Sequence, residues 1–291
     1  MLVNAEKMLK DAKKGKYAVA QFNINNLEWT KYILEEAQEL ETDIILGVSE
    51  GAIKYMGGYN VVFSIVDSLV KDLGININVC LHLDHGSTFE SCKKAVDAGF
   101  TSIMIDASKY PIEDNIKLTK EVVDYAHSKG VTVEAEIGRI SGTEDNLYDE
   151  KYNASLEECI LLVTKTGIDF LAPALGSVHG LYNGEPNLDF ATMKQLKQKL
   201  NIPLVLHGGT GVSDEDMKID LNEPVYEDQA IDEEPSTPLS EVVDKPEYVH
   251  SVRTDKYENY HLPPISLLKK KPFDKNDRPE WIQDQIDIIN S

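Results

Sequence analysis

Cysteine is scarce in this 291-residue chain: Cys80, Cys92 and Cys159 are odd in number and form no CxxC pair. That count and spacing favour free thiols in a reducing compartment over a disulfide framework. Basic residues are in deficit, 29 against 50 acidic, for a net charge of −21. Such a surface repels phosphate backbones, so nucleic acid is not an expected partner. Long apolar runs are missing too, which excludes a membrane-spanning helix, and Met1–Lys16 is a polar amphipathic segment rather than a secretory leader. The expectation is a cytoplasmic protein. Glycine, finally, is absent from one whole stretch: all 18 lie before Lys218, whereas eight of the 12 prolines lie after it.

What is present divides the chain at that point. Between residues 17 and 218, short runs rich in Val, Ile and Leu alternate with segments of helical spacing. The runs are Tyr17–Ile24, Asp43–Ser49, Ile77–Asp84, Ser102–Ser108, Val131–Gly138, Ile168–Leu175 and Pro203–Thr210. Being apolar on consecutive positions, they predict strands of a parallel sheet covered on both faces. The intervening stripes include Trp29, Ile33, Ala37 and Leu40, and Phe63, Val66, Leu69 and Leu73. Ser155 with Glu158 predicts a capping box, and Gly74, Gly99, Gly130 and Gly167 sit where helices should stop. Seven strand–helix units in a row favour a TIM (β/α)8-type barrel, with seven of its eight strands over residues 1–218, above an open doubly wound sheet that the spacing also allows. Residues 219–291 are acidic and Pro-rich, then basic at Lys269–Lys271, and show no structural period. That composition predicts a disordered, linker-like tail.

In such a barrel the chemistry gathers at the C-terminal ends of the strands. Reading the strand ends in turn gives Asp84 and His85, Asp106, Glu136, the turn Gly176–Gly180 with His179, and the turn His207–Gly211. One histidine in such a place is more often a hydrogen-bonded packing residue. Three at adjacent strand ends, His85, His179 and His207, favour a catalytic zinc, because three neutral nitrogen donors leave one coordination position open. Asp106 and Glu136 would then support those ligands or form an alternative metal position. His82 is expected to be packing. Gly180, Gly208, Gly209 and Thr210 lie in glycine-rich turns whose exposed backbone N–H groups suit a phosphate.

Taken together, Gln21–Asn26, Leu83–Gly86, Met104–Ser108, Glu134–Gly138, Ala172–Gly180 and Leu206–Gly211 resemble the class II, zinc-dependent fructose-bisphosphate aldolases, in order and in register over about residues 1–218. The resemblance implies a lyase of glycolysis and gluconeogenesis: reversible aldol cleavage of fructose 1,6-bisphosphate to dihydroxyacetone phosphate and glyceraldehyde 3-phosphate. It implies Zn2+ on His85, His179 and His207, with Asp106 and Glu136 associated with the metal. Asp84 would move the proton of the aldehyde-derived hydroxyl, and Glu144 the proton on the dihydroxyacetone phosphate carbon. Gly180 and Gly208–Thr210 would contact phosphate and a monovalent cation such as Na+ or K+, and a homodimer is expected. A tagatose-bisphosphate aldolase shares these motifs, although the Ala172–Gly180 and His207–Gly211 strings favour fructose. A zinc hydrolase on the same barrel usually carries His-x-His on its first strand, where this chain has Asn23-Ile24-Asn25.

Two departures from the family pattern stand out. Asn183 occupies a position where the family usually has Lys, and no Asn-x-Asn-Thr motif or eighth strand follows Lys218. The tail instead resembles, around Tyr257–Leu268, the linker of septal DNA translocases. The expectation is a chain with little aldolase turnover, and the alternative is a non-catalytic fusion product.

Overall fold

The computed structural model describes residues 2–142, 153–180 and 187–213. Glu144, Asn183 and the whole of 219–291 lie outside the described residues. The chain enters through helix α1 (Glu6–Gly15), then alternates: β1 (Gln21–Asn23), α2 (Leu27–Glu39), β2 (Ile44–Ser49), α3 (Glu50–Met56), α4 (Tyr59–Asp72), β3 (Val79–Gly86), α5 (Phe89–Ala98), β4 (Ser102–Ile105), α6 (Ile112–His127) and β5 (Thr132–Ile137). After a two-residue strand β6 (Ser141–Gly142) come α7 (Leu156–Thr166), β7 (Phe170–Pro173), the two-residue β8 (Val178–His179) and α8 (Phe190–Lys199).

Six strands form one parallel sheet in the order β1-β2-β3-β4-β5-β7, curled as a half-barrel. Strands β2, β4, β5 and β7 are buried along their whole length, the signature of a sheet covered on both faces. The seventh predicted run, Pro203–Thr210, continues the sheet only briefly: Leu204 bridges Leu171, with Leu171 N donating to Pro203 O (3.1 Å) and Val205 N to Leu171 O (2.8 Å). The chain then leaves the sheet at Gly208, whose φ of +68° turns it into the short 3-10 turn Gly209–Gly211.

The helices bury one stripe each against the outer face of the sheet, making the main core. On α2 that stripe is Thr30, Leu34 and Ala37, so the Trp29 and Leu40 of the predicted stripe lie exposed. The Ser155 cap is present, its hydroxyl accepting from Glu158 N at 3.3 Å, and Gly99 and Gly167 are left-handed C-caps of α5 and α7. A second, smaller core lies at the N-terminal ends of the strands, where Ala5 and Met8 meet Ile45, Cys80 and Phe170. Helix α1 is held over this end by long-range bonds: Val3 N to Val79 O (2.9 Å), Ala5 N to Thr132 Oγ1 (3.3 Å) and Lys13 Nζ to the carbonyls of Leu200 (3.2 Å) and Ile202 (3.0 Å). The opposite end is left to polar residues.

Candidate metal centre

Strand β3 delivers two neighbouring side chains to that polar end. Strict alternation would send Asp84 and His85 to opposite faces. The register between β3 and β4 shifts between Leu83 and Gly86, and His85 takes a left-handed φ of +49°. That conformation costs a non-glycine residue about 1–2 kcal/mol. It turns the His85 imidazole toward β4 and β5 while Asp84 stays buried facing β1. Gly86 is needed next, because a Cβ there would come within 2.6 Å of Met104 O.

Two of the three histidine rings at this end, His85 and His207, are each oriented by a carboxylate. His85 Nδ1 lies 3.1 Å from Asp106 Oδ2, and Asp106 is itself fixed through Oδ1 by the Ser108 backbone N–H (3.1 Å) and hydroxyl (2.7 Å). His207 Nε2 lies 2.8 Å from Glu134 Oε1. A carboxylate only accepts, so both of these nitrogens carry hydrogen, and in the neutral rings the other nitrogens are bare. Those are His85 Nε2 and His207 Nδ1, and they face each other at 3.2 Å. Two lone pairs meeting at that distance repel unless a proton or a cation sits between them. A tetrahedral zinc with bonds of about 2.05 Å sets its ligand nitrogens roughly 3.3 Å apart, so the spacing fits.

His179 completes the set. Strand β8 pairs with β6, which fixes the turn after β7 beside the turn after β5. The three rings stand edge to face, with centroids 4.6 Å (His85–His207), 5.0 Å (His85–His179) and 5.7 Å (His179–His207) apart. One ligand atom from each lies within 4.8 Å of the others, and the same holds for His85, Asp106 and Glu136. His85 belongs to both donor sets.

The charges form one system. Burial would favour a neutral His85, but its bond to Asp106 and the charges of Asp84, Glu136 and Asp106 raise it well above the ordinary imidazole value. Burial likewise opposes charge on His207, and the bond to Glu134 leaves it raised. His179, by contrast, is lowered to about 4 by burial and by the charges of His85 and His207. Burial would raise Asp84, yet the surrounding histidines hold it below the usual carboxylate range. Glu136 is pushed up to about 8 by burial and then by the charge of Asp106. Its Oε2 and Asp84 Oδ1 are buried with no hydrogen-bond partner among the described residues. Buried carboxylate oxygens in that condition suit a cation or a polar substrate.

The structure therefore brings Asp84, His85, Asp106, Glu136, His179 and His207 to one end of the sheet. Gly180 (φ +100°) and Gly208 (φ +68°) bend the two glycine-rich turns there, and Gly209 and Thr210 follow in the 3-10 turn. A Cβ on Gly208 would lie 2.4 Å from Val178 O, so the two turns touch through it. His82 is buried as expected, its Nδ1 2.9 Å from Ser102 Oγ. Its Nε2 also lies 3.6 Å from Glu134 Oε2. Glu134 is the residue that sequence reasoning passed over. Period-2 alternation with Glu136 on β5 puts both on the inner face, and that was the available signal.

Comparison with known proteins agrees with this architecture. A family model described as "Fructose-bisphosphate aldolase class-II" matches residues 3–225. Fructose-bisphosphate aldolases of Geobacillus stearothermophilus and Staphylococcus aureus are each 56% identical over 218 residues, covering 75% of this chain and 76% of the relative. Among solved structures, the YdjI aldolase from Escherichia coli K12 is similar with a TM-score of 0.66 at 33% identity, over 74% of this chain and 76% of that one. A putative fructose-1,6-biphosphate aldolase from Coccidioides immitis gives a TM-score of 0.65 at 32% identity, over 71% and 73%. A curled parallel sheet, a histidine set at its C-terminal end and these matches lead to one assignment: the chain belongs to the class II fructose-bisphosphate aldolases, a family of lyases.

Proposed function

We propose that this chain carries out the reversible, Zn2+-dependent aldol cleavage of fructose 1,6-bisphosphate to dihydroxyacetone phosphate and glyceraldehyde 3-phosphate. The observation that carries the metal part of this reading is the 3.2 Å approach of two ring nitrogens whose tautomers are fixed by carboxylates behind them. His85, His179 and His207 would hold the ion, with Asp106 and Glu134 orienting two of the rings and Glu136 beside them. An ion held there would supply Lewis acidity to the ketone of the sugar.

The chain's own residues supply the rest. Asn23 Nδ2 holds Asp84 Oδ2 at 3.2 Å, leaving Oδ1 to accept the proton of the hydroxyl whose carbon becomes the aldehyde. The histidines keep that carboxylate ionised, as a base must be. In the reverse direction Asp84 returns the proton. Glu144, outside the described residues, is proposed for the proton on the dihydroxyacetone phosphate carbon. Backbone N–H groups around Gly180 and Gly208–Thr210 would bind phosphate, beside a monovalent cation. A cytoplasmic location and a homodimer belong to the same reading.

A second reading, metal binding without turnover, is supported by the extent of the match, which covers 75% of this chain. Two measurements on the full chain separate the readings. Zinc content by elemental analysis tests the site. A coupled assay of fructose 1,6-bisphosphate cleavage, run beside tagatose 1,6-bisphosphate, tests the reaction. Cleavage abolished by a chelator and restored by Zn2+ supports the first reading; one bound zinc with no cleavage of either sugar supports the second. Absence of zinc uptake overturns both.

A further inference from the structure

The left-handed turn at His85 is held from one side by a residue outside both donor sets. Glu50 opens helix α3 directly after Ser49, and Ser49 stands opposite Asp84 in the β2–β3 register. From there its carboxylate crosses to the far side of the turn. Glu50 Oε1 accepts from the Ser87 backbone N–H at 2.9 Å, and the Ser87 hydroxyl lies 3.0 Å from Oε1 and 2.9 Å from Oε2. On the other side, Asp106 N donates to Gly86 O at 2.9 Å. His85 is therefore suspended between two anchored residues, Asp84 before it and Ser87 after it.

The anchoring has a specific consequence. His85 sits at φ +49°, a conformation that a side-chain-bearing residue leaves unless its surroundings hold it. Released toward extended backbone, β3 would regain its alternation and carry the imidazole away from Asp106 and His207. We propose that Glu50 is a positioning residue, which clamps Ser87 and so holds the His85–Gly86 turn in the one conformation that presents His85 Nε2 to the metal centre. The inference rests on the metal-binding reading above. It adds to that reading a residue on a different strand–helix unit, acting through the backbone rather than through a ligand atom.

The test uses the full chain, stripped with a chelator and titrated with Co2+, whose visible absorption reports coordination geometry. Glu50→Ala should weaken Co2+ binding about 10–100-fold, the usual loss when a group supporting a ligand is removed. Its absorption band should also shift. Glu50→Gln keeps an acceptor oxygen for the Ser87 N–H and should restore most of the affinity and the wild-type band. Ser87→Ala loses the hydroxyl bonds but keeps the backbone bond, and should fall between the two. It decides the matter if Glu50→Ala fails to fold. A Glu50 with a merely structural role would lower the melting temperature and leave affinity and spectrum unchanged in the folded variants, and that result overturns the proposal. A wild-type chain that takes up no Co2+ overturns the metal reading and this inference with it, whereas tight wild-type binding matched by Glu50→Ala overturns the inference alone.

Discussion

At one end of the sheet, Ala5 and Met8 close over Ile45, Cys80 and Phe170; at the other, β3 and β5 bring Asp84, His85, Glu134 and Glu136 together with His179 and His207. Both ends are buried, and the physics of burial differs. Apolar side chains are stabilised by leaving water, so the α1 end contributes directly to folding. The polar end gains nothing from burial by itself, because its groups lose hydration and recover it only through one another. Asp84 and Glu136 still carry oxygens without hydrogen-bond partners among the described residues, and two ring nitrogens stand 3.2 Å apart, a spacing that needs a proton or a cation between them. One end is a finished core, and the other, on the proposed reading, is stabilised by the cation it binds.

Substitutions should separate the two ends. The largest effect is expected from Asp84→Asn, which keeps the shape of the carboxylate and removes its basicity. Cleavage should fall about 10²–10⁴-fold with zinc content retained, since a positioned general base contributes on that scale. Parallel kcat and zinc measurements check it. Next, Met8→Ala should cost about 2–5 kcal/mol of stability, the usual range for emptying such a site. Denaturant unfolding would show the loss, and the zinc affinity of the folded protein should stay within about twofold if the ends are independent. Third, Glu134→Gln removes the charge that fixes the His207 tautomer and should weaken zinc binding about 10–100-fold, measured by competition with a chelating dye. Its melting temperature should change far less than that of Met8→Ala.

The smallest effect is one of pH. In chelator-treated protein, burial pushes Glu136 up to about 8 and His85 lies well above its ordinary value, while the unfolded chain has released the Glu136 proton and most of the His85 proton by pH 7. The folded state therefore binds more protons between pH 7 and 9, and its stability should fall as the pH rises through that window. A drop on the order of 5 °C in melting temperature between pH 7 and 9 is expected. Zinc, which takes the place of those protons, should flatten it. A chelated protein whose melting temperature is level from pH 7 to 9 would contradict this picture.

The comparison also explains what the sequence revealed. Strand ends can be read from apolar runs and from the glycines that stop them, so His85, Asp106, Glu136, His179 and His207 were visible as a converging set. The backbone irregularity that makes His85 useful was not. Nothing in Leu83-Asp84-His85-Gly86 marks a shifted register, because the shift comes from how β4 packs against Gly86 and how Glu50 reaches Ser87. Glu134 was hidden for a related reason, since its role depends on which strand lies opposite. Helix α1 read only as an amphipathic segment, and its place over the strand ends follows from partners far along the chain. Trp29 and Leu40 matched a helical period but not the buried stripe, which uses Thr30 instead of the larger Trp29.

Those distant partners of α1 set an order on biosynthesis. Asn4 Nδ2 bonds Gly130 O across 126 residues, and Lys13 Nζ bonds Leu200 O and Ile202 O across 187 and 189. At about 5–20 residues per second, the carbonyls that Lys13 needs are translated roughly 10–40 s after it. Helix α1 thus docks in stages, and Met8 stays uncovered until the sheet beneath it has been made. The helix that covers the N-terminal ends of the strands can therefore be secured only after its distant partners exist.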